Sequence, residues 1–320
     1  MLEKVGEYRY YGRMTVVQFL HIVEIRTKLI SMGTVASAAL YALLLQGSLP
    51  FAKLVLMVVA TLCVDMGTTG FNTFFDYYRG TDNSHYTKEK EKVLVHESVN
   101  PLFALLVSMA LFGLAGLFGL ILASMTSWYL IAVGSVCMLV GFFYTAGPFP
   151  ISRTPFGELF AGGFLGSVLF LITLFVLEVT LSGQTVLATI PFFLLIAMIL
   201  SVNNGCDRIG DEASGRKTLS ILLGKRYAPV LVGVEGYVAY LTSAALAITG
   251  IYPWHLLLFL VPSLWIYARS YRQMIRSGMH EEHKSRHMGF ASRSYVLYCI
   301  SCMLSFGLEV LRTSSVLPAF

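Results

Sequence analysis

Nine stretches of this chain, each close to the length of one membrane crossing and nearly free of charge, constrain its fold more than any other feature. A helix needs about 20 mainly apolar residues to cross hydrocarbon, where no water is available to satisfy an unpaired backbone group. The runs fall near 25–45, 54–76, 101–124, 127–147, 157–181, 186–206, 228–250, 254–270 and 291–311. They fill the 320 residues and leave no room for a separate soluble domain. An all-α bundle of nine transmembrane helices, forming one integral-membrane domain over 1–320, is therefore expected. Only 13% of residues are charged, about half the share of a soluble domain, while 22 Phe and 17 Tyr exclude a disordered chain. Arg26 and Lys28 lie too close to the start of the first run for a cleaved signal peptide, so that run is read as retained.

With nine spans the connecting segments alternate between two faces, and basic residues gather on one of them. The N-terminal segment (Lys4, Arg9, Arg13, Arg26, Lys28), the segment after span 2 (Arg79, Lys88, Lys90, Lys92) and Arg153 lie there. So do Arg208, Arg216, Lys217, Lys225 and Arg226 after span 6, and Arg269, Arg272, Arg276, Lys284, Arg286 and Arg293 around the turn after span 8. These make 21 on one face, against Lys53 and Arg312 on the other. The positive-inside rule then puts the N-terminus in the cytoplasm and the C-terminus outside. The formal charge of +5 is loop charge of this kind and calls for no nucleic-acid partner.

Spans 2 and 6 end on the basic face in matching polar clusters. The first runs from Asn72 through Asp76 to Gly80 and Asp82; the second holds Asn203, Asn204, Asp207 and Asp211. In each an Asp follows an Asn by four residues, which places both side chains on one helical face. Their 131-residue separation suits a chain with internally related halves. Four carboxylates on one cavity at a membrane boundary repel each other, and each costs about 2.5–3.5 kcal/mol at a helix centre and less near the interface. A divalent cation removes that difficulty. All-oxygen ligands favour Mg²⁺ or Ca²⁺, and Mg²⁺ is usually held by a few carboxylates together with substrate phosphates. Asp76, Asp82, Asp207 and Asp211 are thus the candidate metal ligands for a phosphorylated substrate. Solvated helix ends would explain either cluster alone, though not both at equivalent places, and a secondary transporter would hold its polar site near the bilayer centre.

These motifs resemble the UbiA superfamily of intramembrane prenyltransferases, and most closely its 1,4-dihydroxy-2-naphthoate branch. Asn72, Asp76, Gly80 and Asp82 meet the first family motif, and Asn203, Asn204, Asp207, Asp211, Gly215, Arg216, Thr218, Leu219, Leu223 and Gly224 meet the second. Tyr144-Thr-Ala-Gly147-Pro148-Phe-Pro150 with Gly157-Glu158, and Arg26-Thr-Lys28, resemble further stretches of the naphthoate branch. Thr73 and Cys206 replace the Asp and Arg usual in the two motifs, and Pro148 stands where other branches carry Lys, leaving Arg153 the nearest cation in that loop.

The resemblance implies Mg²⁺-dependent ionisation of a polyprenyl diphosphate and transfer of the prenyl group to dihydroxynaphthoate, giving demethylmenaquinone. The implied setting is the plasma membrane of a menaquinone-using bacterium or archaeon, with the site facing the cytoplasm. Within the enzyme class the rival acceptors are 4-hydroxybenzoate and a glycerol phosphate lipid. On this reading Asn72, Asn203 and Asn204 orient carboxylates or phosphate, and Tyr144 stabilises the allylic cation across its ring. Arg153, Arg216 and Lys217 grip diphosphate, Arg26 or Lys28 holds the acceptor's carboxylate, and Glu158 joins the substrate contacts.

Asp65 faces the same way as Asn72 and Asp76 and is a secondary candidate, either a proton acceptor or a tie between helices. The segments 83–99 and 218–224 suit a cap that excludes water from the reaction. His280, His283 and His287 sit among charged residues and read as a solvated loop, and Cys299 and Cys302 as packing. A cysteine introduced within 83–99 is expected to react with an impermeant maleimide only from the cytoplasm, and one placed after Arg312 only from outside; labelling of both from one side would refute the placement of these two positions on opposite faces.

Overall fold

The computed structural model describes residues 14–82, 92–97 and 99–316; Lys4, Arg9, Arg13, Lys88, Lys90 and most of the expected 83–99 cap lie outside these. The described residues form an all-α membrane bundle. Its helices are α1 (Lys28–Gln46), α2 (Phe51–Tyr78), α3 (Pro101–Met125) and α4 (Tyr129–Phe143), then the composite α5 (Gly157–Val176) and α6 (Ile190–Cys206). The short α7 (Arg208–Ala213), α8 (Leu219–Ile248), α9 (Leu256–Ser277) and α10 (Lys284–Val316) complete it.

Seven of the described helices are long and apolar enough to cross a membrane, which corrects the expectation of nine. The run at 127–147 yields only the 15 residues of α4, because the chain leaves the helix at Tyr144 for a turn built on Gly147, at φ +77°, and Pro148. The run at 254–270 becomes α9, whose helix continues to Ser277 through Arg269, Arg272, Gln273 and Arg276. That polar second half takes it out of the apolar class. The sixth run crosses as Gly183–Cys206, within which a one-turn helix, Gly183–Leu187, precedes α6, and α6 carries Pro191 in its first turn, where its missing N–H costs nothing.

The core is centred on α6, whose Phe192, Leu195, Met198 and Val202 are fully buried among α5, α8 and α10. Close approach here depends on glycine. A Cβ on Gly166 of α5 would stand 2.7 Å from the Phe193 nitrogen, and one on Gly70 of α2 would stand 2.2 Å from Ser108 Oγ of α3. Gly162–Val168 forms a π-helical turn, and the Thr34 hydroxyl donates to its Leu165 carbonyl at 2.9 Å. In α8 Gly224 has φ +68° and ψ 179°, so the apolar stretch Leu219–Leu223 is set at an angle to the long helix behind it. Gly166→Ala is expected to destabilise the protein by about 1–3 kcal/mol, because it overpacks backbone that cannot turn away. Gly116→Ala on α3, with nothing near its missing Cβ, should leave the thermal unfolding midpoint in detergent unchanged or raised.

Candidate active site

Both acidic motifs open onto one cavity of about 1190 Å³, lined by Asn72, Asp76, Asp82, Tyr144, Asn203, Asn204, Asp207, Asp211, Arg216 and Arg26. Asn72 and Asp76 share a face of α2, as their spacing requires. Gly80, at φ +72°, then reverses the chain, and the Asp82 amide donates to the Asp76 carbonyl at 3.1 Å. In the second motif Asp207 caps α6 and the Asp211 amide donates to its carbonyl at 2.9 Å. Gly215, at φ +78°, turns the chain so that the Arg216 amide returns to the Asp211 carbonyl at 2.9 Å.

That turn places one guanidinium between the motifs. Arg216 meets Asp76 at 2.8 Å through Nη2 and Asp211 at 3.1 Å through Nη1. Burial works against the charge of Arg216, and the two carboxylates more than offset it, holding its pKa above the usual arginine value. The same burial pushes the Asp211 carboxyl up to about 6, with Arg216 opposing the rise. The other acids have cations of their own. Lys284 at the start of α10 meets Asp207 at 2.7 Å, and Lys92 meets Asp82 at 3.3 Å and Glu24 at 3.0 Å. Burial lowers the pKa of Lys92, but Glu24, Asp82 and Asp76 together raise it well above the usual lysine value. Lys92 and Lys284 were legible in the sequence only as loop charge, since nothing local to either marks a partner ten to 77 residues away.

The third motif is fastened to the first. Arg79 donates to the carbonyls of Thr145 and Gly147, and Thr145 Oγ1 donates to Asn72 Oδ1 at 2.6 Å. Asn204 Nδ2 donates to Glu158 Oε1 at 2.9 Å, which places Glu158 behind the lining as a buried support. Arg153 and Lys217 do not line the cavity. Arg153 donates to the Ser214 carbonyl and to Thr81 Oγ1 at 3.5 Å, and its own carbonyl accepts from the Lys217 amide at 2.9 Å. They brace the loops that carry the motifs. Lys28 is likewise committed elsewhere: its ammonium is buried against Asp65 at 2.6 Å and is not presented to the cavity. Thr73, where the family motif has Asp, bonds to the Ile22 carbonyl at 3.0 Å, outside the lining.

Among the described residues no three carboxylate, histidine or cysteine side chains converge on one point that a metal could occupy. The acids line the cavity as two groups. Each supplies oxygen donors, and Asp211 Oδ2 is buried with no hydrogen-bond partner. This donor set suits hard divalent ions held by one or two carboxylates each and completed by phosphate and water.

The UbiA prenyltransferase family model matches residues 31–291, and the chain belongs to that family. It is 37% identical over 205 residues to the 1,4-dihydroxy-2-naphthoate octaprenyltransferase of Bacillus subtilis (strain 168), covering 64% of this chain and 66% of that one. It is 28% identical over 192 residues to the enzyme of the same name from Mycobacterium tuberculosis, covering 60% and 63%. The matched region thus spans a little under two thirds of the length of each of these relatives. In three dimensions it is similar to a UbiA homologue from Archaeoglobus fulgidus bound to DMAPP and Mg²⁺, with a TM-score of 0.61 at 13% identity over 90% of this chain and 99% of that one.

Arg216→Gln leaves the buried Asp211 and the half-buried Asp76 without their cation and is expected to lower stability by up to about 3–5 kcal/mol. Adding Asp76→Asn to that variant should recover part of the loss in a thermal unfolding measurement; two strictly additive losses would show that the bridge is not coupled.

Proposed function

We propose that this protein transfers a prenyl group from an allylic prenyl diphosphate to 1,4-dihydroxy-2-naphthoate at the cytoplasmic face of a bacterial or archaeal plasma membrane, releasing diphosphate from the donor and a proton or carbon dioxide from the ring carbon that is alkylated. The observation that carries the reading is the meeting of two acidic motifs and one arginine at the polar end of a cavity whose remaining walls are mostly apolar. A diphosphate and a prenyl chain need those two surfaces side by side. The family match supports prenyl transfer, and the naphthoate is favoured by the names of the two relatives and by the Tyr144–Pro150 and Arg26–Lys28 segments.

Mg²⁺ held by Asp76 and Asp82 on one side and by Asp207 and Asp211 on the other would supply the positive charge that makes diphosphate a leaving group. The chain's own residues do the rest. Arg216 moves between carboxylate and phosphate oxygens with little displacement, since its fork already reaches both motifs. Asn72, fixed by Thr145, and Asn203 and Asn204 present amides to the same region, while Tyr144 offers its ring to the allylic cation. Arg26, exposed at the cavity mouth, takes the acceptor's carboxylate; Lys28 is released from that role by its pairing with Asp65.

Purified protein given Mg²⁺, labelled prenyl diphosphate and dihydroxynaphthoate should release diphosphate and form a prenylated ring, with Mn²⁺ substituting and chelator abolishing turnover. Asp76→Asn or Asp207→Asn should each lower kcat/KM at least about 100-fold, equivalent to about 2.7 kcal/mol of lost transition-state stabilisation, while the fold is retained. Full activity of either variant at saturating Mg²⁺ would refute the assignment.

A further inference from the structure

Below the acidic motifs α2 presents a polar line to the otherwise apolar cavity: Thr61, Asp65, Thr68, Thr69 and Asn72, recurring at helical spacing. Asp65 stands out because it is charged and lies seven residues from Asn72, about 10 Å deeper along the helix axis. Its carboxylate is held from behind. Lys28 Nζ of α1 donates to Oδ1 at 2.6 Å and to Thr69 Oγ1 at 2.7 Å, and Ser31 Oγ donates to Oδ2 at 2.5 Å. Lys28 is absent from the cavity lining, whereas Asp65 belongs to it, with 13% of its side chain exposed.

Two helices can be joined more cheaply by apolar contact than by a buried ion pair, whose desolvation often exceeds its attraction. Intramembrane charges of this kind mark binding or transport sites far more often than packing. Each carboxylate oxygen has two acceptor positions, and the described donors use one on each. What remains is an anchored acceptor, charge-compensated on its far side, at the depth where a fused aromatic ring would lie beneath the diphosphate. An apolar prenyl chain has no use for it.

We propose that Asp65 accepts a hydrogen bond from a ring hydroxyl of the aromatic acceptor, with Lys28 and Ser31 as positioning residues that fix the carboxylate. This rests on the prenyl-transfer reading above and specifies the acceptor's chemistry within it: an aromatic ring carrying a free hydroxyl, oriented so that the hydroxyl points away from the diphosphate. The contact makes Asp65 a determinant of acceptor choice, independent of donor binding.

The test uses the full-length protein in lipid nanodiscs, geranylgeranyl diphosphate as labelled donor, and 1,4-dihydroxy-2-naphthoate with its two monomethyl ethers. Replacing the whole pair, Lys28→Met with Asp65→Leu, removes both charges and leaves no orphan. The variant should keep the wild-type unfolding midpoint and bind donor within about twofold, yet lose about tenfold to 100-fold in kcat/KM for the diol, the worth of one hydrogen bond to a charged group. Wild-type acceptor kinetics in the double variant would overturn the proposal and leave the pair a helix tie. A second measurement does not depend on any variant folding. As competitive inhibitors of the wild-type protein, one monomethyl ether should bind at least about tenfold more weakly than the other; equal binding of both ethers and the diol would overturn it. Loss of donor binding by wild type and variant alike would instead refute the diphosphate site on which the proposal rests.

Discussion

The contact on which the site depends is the Arg216 bridge between Asp76 and Asp211. It joins the end of α2 to the segment after α6, 140 residues apart in the chain. Without a cation between them, two acidic helix ends could not face one buried cavity. With one, the arrangement is stable in the absence of substrate and still responsive, because a guanidinium paired with carboxylates through separate nitrogens can exchange either partner for a phosphate oxygen. Lys284 and Lys92 repeat the device for Asp207 and Asp82. Three cations thus serve the four motif carboxylates, with Arg216 shared between Asp76 and Asp211. The loop carrying Arg216, the start of α10 and the segment at Lys92 are held in register by these ion pairs.

The rest of the fold keeps that polar end apart from an apolar interior. Glycines on α2 and α5 let helices approach closely behind the cavity, while Gly116 and Gly119 of α3 and Gly134 of α4 line it with open space where side chains would stand. The turn that ends α4 early also delivers Tyr144 and Thr145 to the motif end, where Arg79 clasps the Thr145 and Gly147 carbonyls. The loss of α4 as a full-length span and the construction of the site thus have one cause, a Gly-Pro turn inside an apolar run.

Much of this was legible because the signals are local. Apolar runs locate the helices, and an Asn and an Asp four residues apart must share a face. The reading failed where a run's length was taken for helix length: Gly147 and Pro148 stop α4, and the arginines of α9 extend it beyond its apolar half. A cation's partner that lies far away in sequence leaves no local signal. The neighbourhoods of Lys28, Arg153 and Lys217 suggest substrate contacts; in the structure Lys28 pairs with Asp65, Arg153 bonds to the Ser214 carbonyl, the Lys217 amide bonds to the Arg153 carbonyl, and none of the three lines the cavity. Lys92 and Lys284, which the sequence marks only as positive-inside charge, join Arg216 in reaching the motif carboxylates. Charge has no periodicity that reveals its partner; only the fold supplies that.

We propose that the two separate acidic groups, bridged by one arginine, hold a metal-diphosphate complex between them. Anomalous diffraction from crystals grown with Mn²⁺ and a non-hydrolysable prenyl diphosphate tests it directly. The account predicts manganese peaks beside Asp76 and Asp82 and beside Asp207 and Asp211, with Arg216 on a phosphate oxygen. Diphosphate bound with no manganese at either group, and Arg216 still closed on both carboxylates, would contradict it.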